Sequence, residues 1–342
     1  MKTSVILLFA FILPSLINGQ SIEVHGNLKV NVMDTFNTVN DIVVKLPDGT
    51  LATRLLSSLP PSTNTARTWQ TDLLLTSTLC NCSTLRAPIV QSLLDNGYTV
   101  QDLLNFGLCI LQLYNAEVSV QVLRDGDLSI HQLYTGGISV RNLIDGGVTI
   151  PELMNIGITV QQFLTADEPP INLYNNGTLL DSLIGKIYVG GMIFHMDTNT
   201  GDGLVASTQN FGDPSWGCFD TFVGAIGKAI GAGQLNTEAM INAECPDLTL
   251  EPYILDPIIN GQYGNWFIPS KDELNEMYVK IGPGAPPPYT NIGNFFTTKY
   301  YWTSTEENAS FAWRQSFIDG TQSIYNKGIV GNYPFSKLIK SF

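Results

Sequence analysis

The chain has 342 residues, 44% of them hydrophobic and 14% charged, which excludes wholesale disorder and leaves room for about two or three domains. Seventeen Lys and Arg stand against 30 Asp and Glu, a formal charge of −13; such a chain repels phosphate backbones, heparin-like polyanions and anionic membranes, so nucleic acid is not an expected partner. With 31 Gly and 18 Pro the composition is not that of a collagen or a low-complexity linker.

Residues 1–19, MKTSVILLFAFILPSLING, have the three parts of a secretory signal: Lys2, an apolar run from Val5 to Leu13, and Pro14 before the small Gly19. The run is short for a membrane anchor, which needs about 20 apolar residues, so cleavage before Gln20 is expected, and no later stretch is apolar enough to span. Removing the leader takes Lys2 with it and leaves −14, divided as −7 on either side of residue 170. A secreted or cell-surface chain meets an oxidising environment, where cysteines pair. Five are present: Cys80, Cys82, Cys109, Cys218 and Cys245. Cys218 and Cys245 share the C-terminal half and are the expected disulfide, contributing roughly 3–4 kcal/mol on the chain-entropy estimate. The partners of Cys80, Cys82 and Cys109 stay open. The spacing Cys80-Asn81-Cys82 has no nearby His to complete a metal site.

Residues 20–56 are predicted as a short β segment, with strands Ile42–Lys45 and Thr50–Arg54 flanking the turn sequence Leu46-Pro47-Asp48-Gly49. Residues 57–69, with Pro60-Pro61, are predicted as a linker. Residues 70–167 hold the strongest internal signal. From Pro88 the chain runs in tens: PIVQSLLDNG, YTVQDLLNFG, LCILQLYNAE, VSVQVLRDGD, LSIHQLYTGG, ISVRNLIDGG, VTIPELMNIG, ITVQQFLTAD. Column two is mostly Ser or Thr, column three always Val or Ile, column six Leu or Phe, and column ten usually Gly. Ser or Thr can N-cap a short helix, columns three, six and seven then share one face, and Gly at the end supplies a left-handed C-terminal residue. A β-solenoid is the competing reading of a Val- and Ile-rich period of ten. Pro151 and the leucine pairs favour two-turn helices. No single unit buries enough to stand alone, so the units are expected to stack into a solenoid, read here as a spacer in preference to an extended binding surface. Residues 168–186, with Pro169-Pro170, are predicted as a second linker.

From residue 187 the texture changes to Gly, Trp and Tyr with strand-like runs at 187–196, 204–207, 265–268, 300–303, 311–317 and 337–342. Ser270-Lys271-Asp272-Glu273 is a capping box opening a helix with Leu274, Met277, Tyr278 and Ile281 on one face; short helices are predicted at 225–232 and 237–243. The fold class is α+β with long loops. Trp266 and Trp302 are expected in the core. Asp197–Gly203 resembles a calcium loop superficially, but Thr208 stands where the closing Glu belongs, and a hairpin turn is favoured. Glu306-Glu307-Asn308 is predicted as a loop after a strand, offering acceptor oxygens. Trp313 and Arg314 adjoin on a strand and so face opposite sides, exposing one of them to a ligand. Tyr289 lies in the long loop 282–293, a further surface for contacts.

Several strings in this region resemble one family: YVGGMIF at 188–194, Trp216-Gly217-Cys218, GNWFIPSKDEL at 264–274, YWTSTE at 301–306 and FSKLIKSF at 335–342. Residues 187–342 are similar to the C-terminal domain family of the bacterial collagen-like adhesin Lcl, a domain of unknown function. The resemblance implies a C-type-lectin-like fold related to the sulfatase-modifying factors, homotrimers, and an extracellular binding role toward glycosaminoglycans. Where the family closes on V-R-x-V-R, this chain has Lys337 and Lys340, which keep the charge and lose the bidentate fork. The net charge speaks against sulfated polymers, so fold and binding class carry over and that ligand does not. His25, His131 and His195 fall in no catalytic pattern, and no nucleophile elbow, zinc-protease motif or phosphate loop is present. The reading is therefore a non-enzymatic, adhesin-like protein with no metal or other cofactor, contacting an extracellular glycan or protein. Its ligand residues are expected among Tyr289, Glu306, Glu307, Asn308, Trp313 and Arg314. A structural surface or matrix protein, with the C-terminal domain as oligomerisation module, is the alternative, and a polysaccharide hydrolase using a carboxylate pair a more distant one.

Overall fold

The computed structural model describes residues 87–212, 214–245, 265–329 and 334–342, and the backbone of 41–45, 51–55, 258–259 and 262–263. The leader, the first linker, Cys80 and Cys82 lie outside the described residues. The chain divides into two compact units, Met1–Ile156 and Gly157–Phe342.

The first unit begins with an antiparallel pair, β1 (Asp41–Lys45) and β2 (Leu51–Leu55), with Lys45 opposite Leu51. It continues with α1 (Ala87–Asp95) and then one short helix every ten residues: α2 (Val100–Asn105), α3 (Ile110–Asn115), α4 (Val120–Asp125), α5 (Ile130–Thr135), α6 (Val140–Asp145) and α7 (Ile150–Asn155). The helical reading of the period thus holds, and the caps follow the columns. Thr99, Ser119, Ser129, Ser139 and Thr149 each accept from the backbone N–H three residues on. At the other end the Leu108 N–H donates to the Leu103 carbonyl, Val118 to Leu113 and Ile138 to Leu133, the six-residue closure that requires a left-handed residue in between. Column ten supplies it throughout: Gly97, Gly107, Gly137 and Gly147 have φ near +90 to +100°, and Glu117 and Asp127 are held at 65°.

Burial differs from the expectation in one respect. Leu103, Leu113, Leu123, Leu133, Leu143 and Leu153 of column six are fully buried. The second buried row is column one, with Leu108, Val118, Leu128, Ile138 and Val148 all under 8% exposed, whereas Leu104, Tyr114 and Ile144 of column seven are half-exposed. The residue after the left-handed turn points back over the helix it has just left, so a linear helical wheel does not place it. Units stack at a longer interval. A Cβ at Gly126 would lie 2.6 Å from Val100, at Gly136 2.8 Å from Ile110, and at Gly146 2.4 Å from Val120, always 26 positions back. Arg124 and Glu152, 28 apart, form an ion pair at 2.9 Å. One turn of the solenoid therefore takes between two and three units.

The second unit opens with three more short helices, α8 (Val160–Thr165), α9 (Pro170–Asn175) and α10 (Leu180–Leu183). Two of these occupy the stretch predicted as a linker. The Pro-Pro pair misled because its position was decisive: Pro169 is the N-cap and Pro170 the first helical residue of α9, where no N–H is required. Leu173 and Leu183 remain fully buried.

An α+β region follows. One antiparallel sheet has the order β11-β5-β4-β3, from β3 (Ile187–Tyr188), β4 (Gly191–Met196), β5 (Gly203–Ala206) and β11 (Ile339–Ser341). Residues 197–202 form the hairpin turn between β4 and β5, with the Asp197 N–H on the Asp202 carbonyl and the Asp197 carboxylate on the Asn199 N–H. The other sheet has the order β10-β9-β8, from β8 (Tyr300–Asn308), β9 (Phe311–Ser316) and β10 (Gln322–Asn326). A small pair, β6 (Ile258–Ile259) and β7 (Gln262–Tyr263), and two helices, α11 (Gly233–Asn242) and α12 (Lys271–Lys280), complete it. The capping box of α12 is present, with Leu274, Met277 and Ile281 fully buried. Trp216, Trp266 and Trp302 are also in the core. Residues 265–268, expected as a strand, make only a single bridge from Phe267 to Ile339.

Cys218 and Cys245 are disulfide-bonded, with Cα atoms 5.0 Å apart; Cys109 is a free, half-buried thiol. No helix among the described residues is long and apolar enough to cross a membrane.

Candidate ligand-binding site

The segment 219–232 was expected to hold a helix at 225–232, and it is an extended loop instead. Gly224 and Gly231 adopt φ of 79° and 89°, and the backbone groups that a helix would have paired internally are taken by distant side chains. Glu306, whose side chain is fully buried, accepts from the Val223 and Gly224 N–H groups at 3.1 and 2.9 Å and from Lys327 Nζ at 2.5 Å. Lys327 also donates to the Thr221 carbonyl at 3.2 Å and lies 4.3 Å from the Trp216 ring centre. Thr305 Oγ1 donates to the Gly227 carbonyl at 2.7 Å. Asn236 brackets Gly227, accepting from its N–H at 3.0 Å and donating to its carbonyl at 2.7 Å. Glu273 accepts from the Gly231 N–H at 2.8 Å and from its own N-cap, Ser270, at 2.6 Å; burial raises its pKa above the usual carboxylate range.

These contacts give the recognisable strings a physical meaning. The glutamates that end YWTSTE and sit within SKDEL both reach into the same loop and fix its backbone. Glu306 is thus part of a strand, not of the loop predicted at 306–308, and it faces inward toward Lys327 rather than outward toward a ligand.

Its neighbour Glu307 faces solvent and accepts from Trp313 Nε1 at 2.7 Å. That bond fixes the orientation of a half-exposed indole. Lys228, on the clamped loop, lies 5.3 Å from the Trp313 ring centre and 3.8 Å from the Glu307 carboxylate; Lys271, the first residue of α12, lies 4.8 Å from the same ring. Cross-strand from Trp313 stands Ile324, 46% exposed. Asn308 accepts from the Ser310 and Phe311 N–H groups and shapes the hairpin turn.

Arg314 projects from the opposite face of β9. Its guanidinium is stacked between Tyr300 and Tyr325, at 4.0 and 3.5 Å from their ring centres, with Nε 3.4 Å from Ser323 Oγ. Among the described residues no carboxylate lies within ion-pair distance of it. Tyr289 joins neither group; its hydroxyl donates to the Asp181 carbonyl of α10 at 2.8 Å. A shallow depression lined by Gln234, Asn265, Phe267, Lys340 and Ser341 contains none of the expected ligand residues.

Of the six residues expected to bind a ligand, Glu307 and Trp313 meet, Arg314 takes the other side of the same strand, Asn308 turns the hairpin, Glu306 holds the loop, and Tyr289 engages α10. Lys228, Lys271 and Lys327 were not anticipated, because each reaches its partner across more than 20 residues with no local pattern. Among the described residues no three His, Cys, Asp or Glu side chains are grouped to hold a metal ion. Comparison with models of known protein families and with curated proteins finds no match to this chain.

Proposed function

We propose that the chain is a secreted or cell-surface, non-enzymatic binding protein whose residues 187–342 form a C-type-lectin-like head of the Lcl C-terminal type. The helical array acts as its spacer, and the β8–β9 hairpin contacts an extracellular glycan or protein. The observation that carries this reading is Trp313, an indole kept half-exposed and oriented by Glu307, with the Lys228 and Lys271 ammonium groups over its ring. A large apolar surface held against solvent at low conformational cost is what a sugar ring or a protein side chain stacks on. The Cys218–Cys245 disulfide supports an oxidising compartment. The full chain screened on glycan and protein arrays should give specific hits that weaken at least tenfold in Trp313→Ala, the loss of about 1.4 kcal/mol that one anchoring side chain carries. Hits unchanged in both Trp313→Ala and Arg314→Ala would move the site elsewhere.

A second observation favours the alternative of a structural surface protein that self-associates. The clamped loop and the start of α11 expose Phe222 and Ile226 at 60% and Leu235 at 70%, more apolar surface than a solitary head needs. Sedimentation showing an oligomer that dissociates in Phe222→Ser/Ile226→Ser would establish it, and a monomer with saturable ligand binding would reject it.

A further inference from the structure

Lys337 is fully buried just before the C-terminal strand β11. Its ammonium has no carboxylate within ion-pair distance among the described residues. Nζ donates to the Gly293 carbonyl at 2.9 Å, lies 4.7 Å from the Phe295 ring centre, and stands 3.4 Å from Asn210 Oδ1. That same Oδ1 accepts from the buried Tyr301 hydroxyl at 3.0 Å. The Tyr301 oxygen in turn accepts from the Phe296 N–H at 2.9 Å, which makes its own O–H a stronger donor. Asn210 Nδ2 is held at 2.7 Å by the Asn294 carbonyl, at the exposed end of the group.

We propose that Lys337 and Asn210 form an intramolecular isopeptide bond. The Lys337 Nζ lone pair adds to Asn210 Cγ, the carbon bearing the Oδ1 that Nζ faces at 3.4 Å. The oxyanion formed at Oδ1 is stabilised by the Tyr301 hydroxyl. The proton shed by Nζ passes to Nδ2, the Cγ–Nδ2 bond breaks, and ammonia leaves on the solvent side past Asn294. Amine and carboxamide become a secondary amide and ammonia, with no oxidant or cofactor consumed. Burial supplies the nucleophile: desolvation lowers the Lys337 pKa to about 7, so much of it is a neutral amine at neutral pH. The bond would join the segment after β5 to the segment before β11, next to the Phe211–Ser336 bridge, and lock the C-terminal strand into its sheet.

The test is peptide mapping of the reduced, full-length wild-type protein after incubation at pH 8. The expected result is a branched peptide joining Asn210 to Lys337, lighter than its two components by one ammonia, with no tryptic cleavage after Lys337. Asn210→Ala restores cleavage there in the denatured chain, and Tyr301→Phe slows formation of the branched peptide at least tenfold. Linear Asn210 and Lys337 peptides in the wild type overturn the proposal. They do so equally if the intact mass lacks an ammonia because Gln20 has cyclised or because Asn176-Gly177 holds a succinimide, so the mapped peptide and not the intact mass decides. The wild-type result does not depend on whether either variant folds.

Discussion

In the helical array Ser129 satisfies a backbone N–H three residues ahead, whereas in the α+β region Glu306 satisfies backbone N–H groups 82 and 83 residues away. The two regions meet the same requirement, that backbone N–H groups left over by regular structure find partners, over very different stretches of chain. The array repeats one small solution with neutral caps and a stacking interval of 26 to 28 residues. The α+β region uses unique, charged, fully buried side chains that hold one irregular loop. A substitution in the array is therefore felt by a few neighbouring units, and a substitution at a clamp by the whole loop and everything it displays.

The strongest way to break this contrast is to remove one member of the buried pair. Glu306→Ala leaves Lys327 charged without its carboxylate, and Lys327→Met leaves Glu306 likewise. Each is expected to cost about 3–5 kcal/mol, read by denaturant unfolding followed through the tryptophans of the α+β region. The double variant should cost clearly less than the sum, because the uncompensated charge is gone. Additive losses would mean that the two side chains act independently and that the loop is held by the Thr305 and Asn236 bonds alone.

The array offers the corresponding test of stacking. Gly146 has an ordinary helical φ of −80°, so a side chain there is not strained by its backbone. It would, however, meet Val120 at 2.4 Å. Gly146→Ala should therefore destabilise by about 1–3 kcal/mol through overpacking, and Gly146→Ala/Val120→Ala should recover part of that loss. An equal loss in both variants would show that the 26-residue contact is not what the glycine makes room for.

These two regions were legible to different degrees for the same reason. Caps, left-handed turns and column-six leucines are interactions within ten residues, so the period, with Pro151 and the leucine pairs weighing against a β-solenoid, favoured helices with Ser or Thr at one end and Gly at the other. The capping box of α12 was legible on the same terms. Glu306 was not: YWTSTE looks like an alternating strand running into a polar loop, and only the presence of Lys327 just after β10 and Val223 on a loop turns its last residue inward. Trp313 could be placed on a strand beside Arg314 from sequence, but Lys228 and Lys271 come over its ring through the folding of two other segments. Pro169-Pro170 erred in the opposite sense, since proline breaks a helix in its interior and starts one at its N-terminus.

A pH profile sharpens the same comparison with a smaller effect. Burial raises the pKa of Glu273, so the folded protein keeps this proton to higher pH than the unfolded chain does. Between the unfolded value, about 4.3, and the raised folded value, the native state binds more protons. Stability therefore falls as pH rises through that window and is level above it, with a slope of at most about 1.4 kcal/mol per pH unit for one proton. Subtracting the profile of Glu273→Gln from that of the wild type should isolate this fall. The array offers no counterpart: Glu152, in its capping box, has a lowered pKa from the Thr149 bonds, which gives stability that is lost as pH drops. A difference profile that rises with pH would mean that the four-donor surroundings of Glu273 outweigh its burial.

The smallest effect has the least common sign. Column ten demands a left-handed residue, and Glu117 and Asp127 are held there at φ of 65°, where a side chain costs about 1–2 kcal/mol relative to glycine. Glycine also loses more chain entropy on folding, roughly 0.5–1 kcal/mol, so Glu117→Gly should raise the stability of the array by no more than about 1.5 kcal/mol. Asp127→Gly should gain less, because aspartate tolerates this conformation better than glutamate. Thermal unfolding followed by far-ultraviolet circular dichroism reads both. If the turn geometry is what column ten selects for, the order of gain is glutamate, then aspartate. If instead the carboxylates are retained for contacts beyond the turn, both substitutions destabilise, and the period would be carrying information about a surface as well as about a fold.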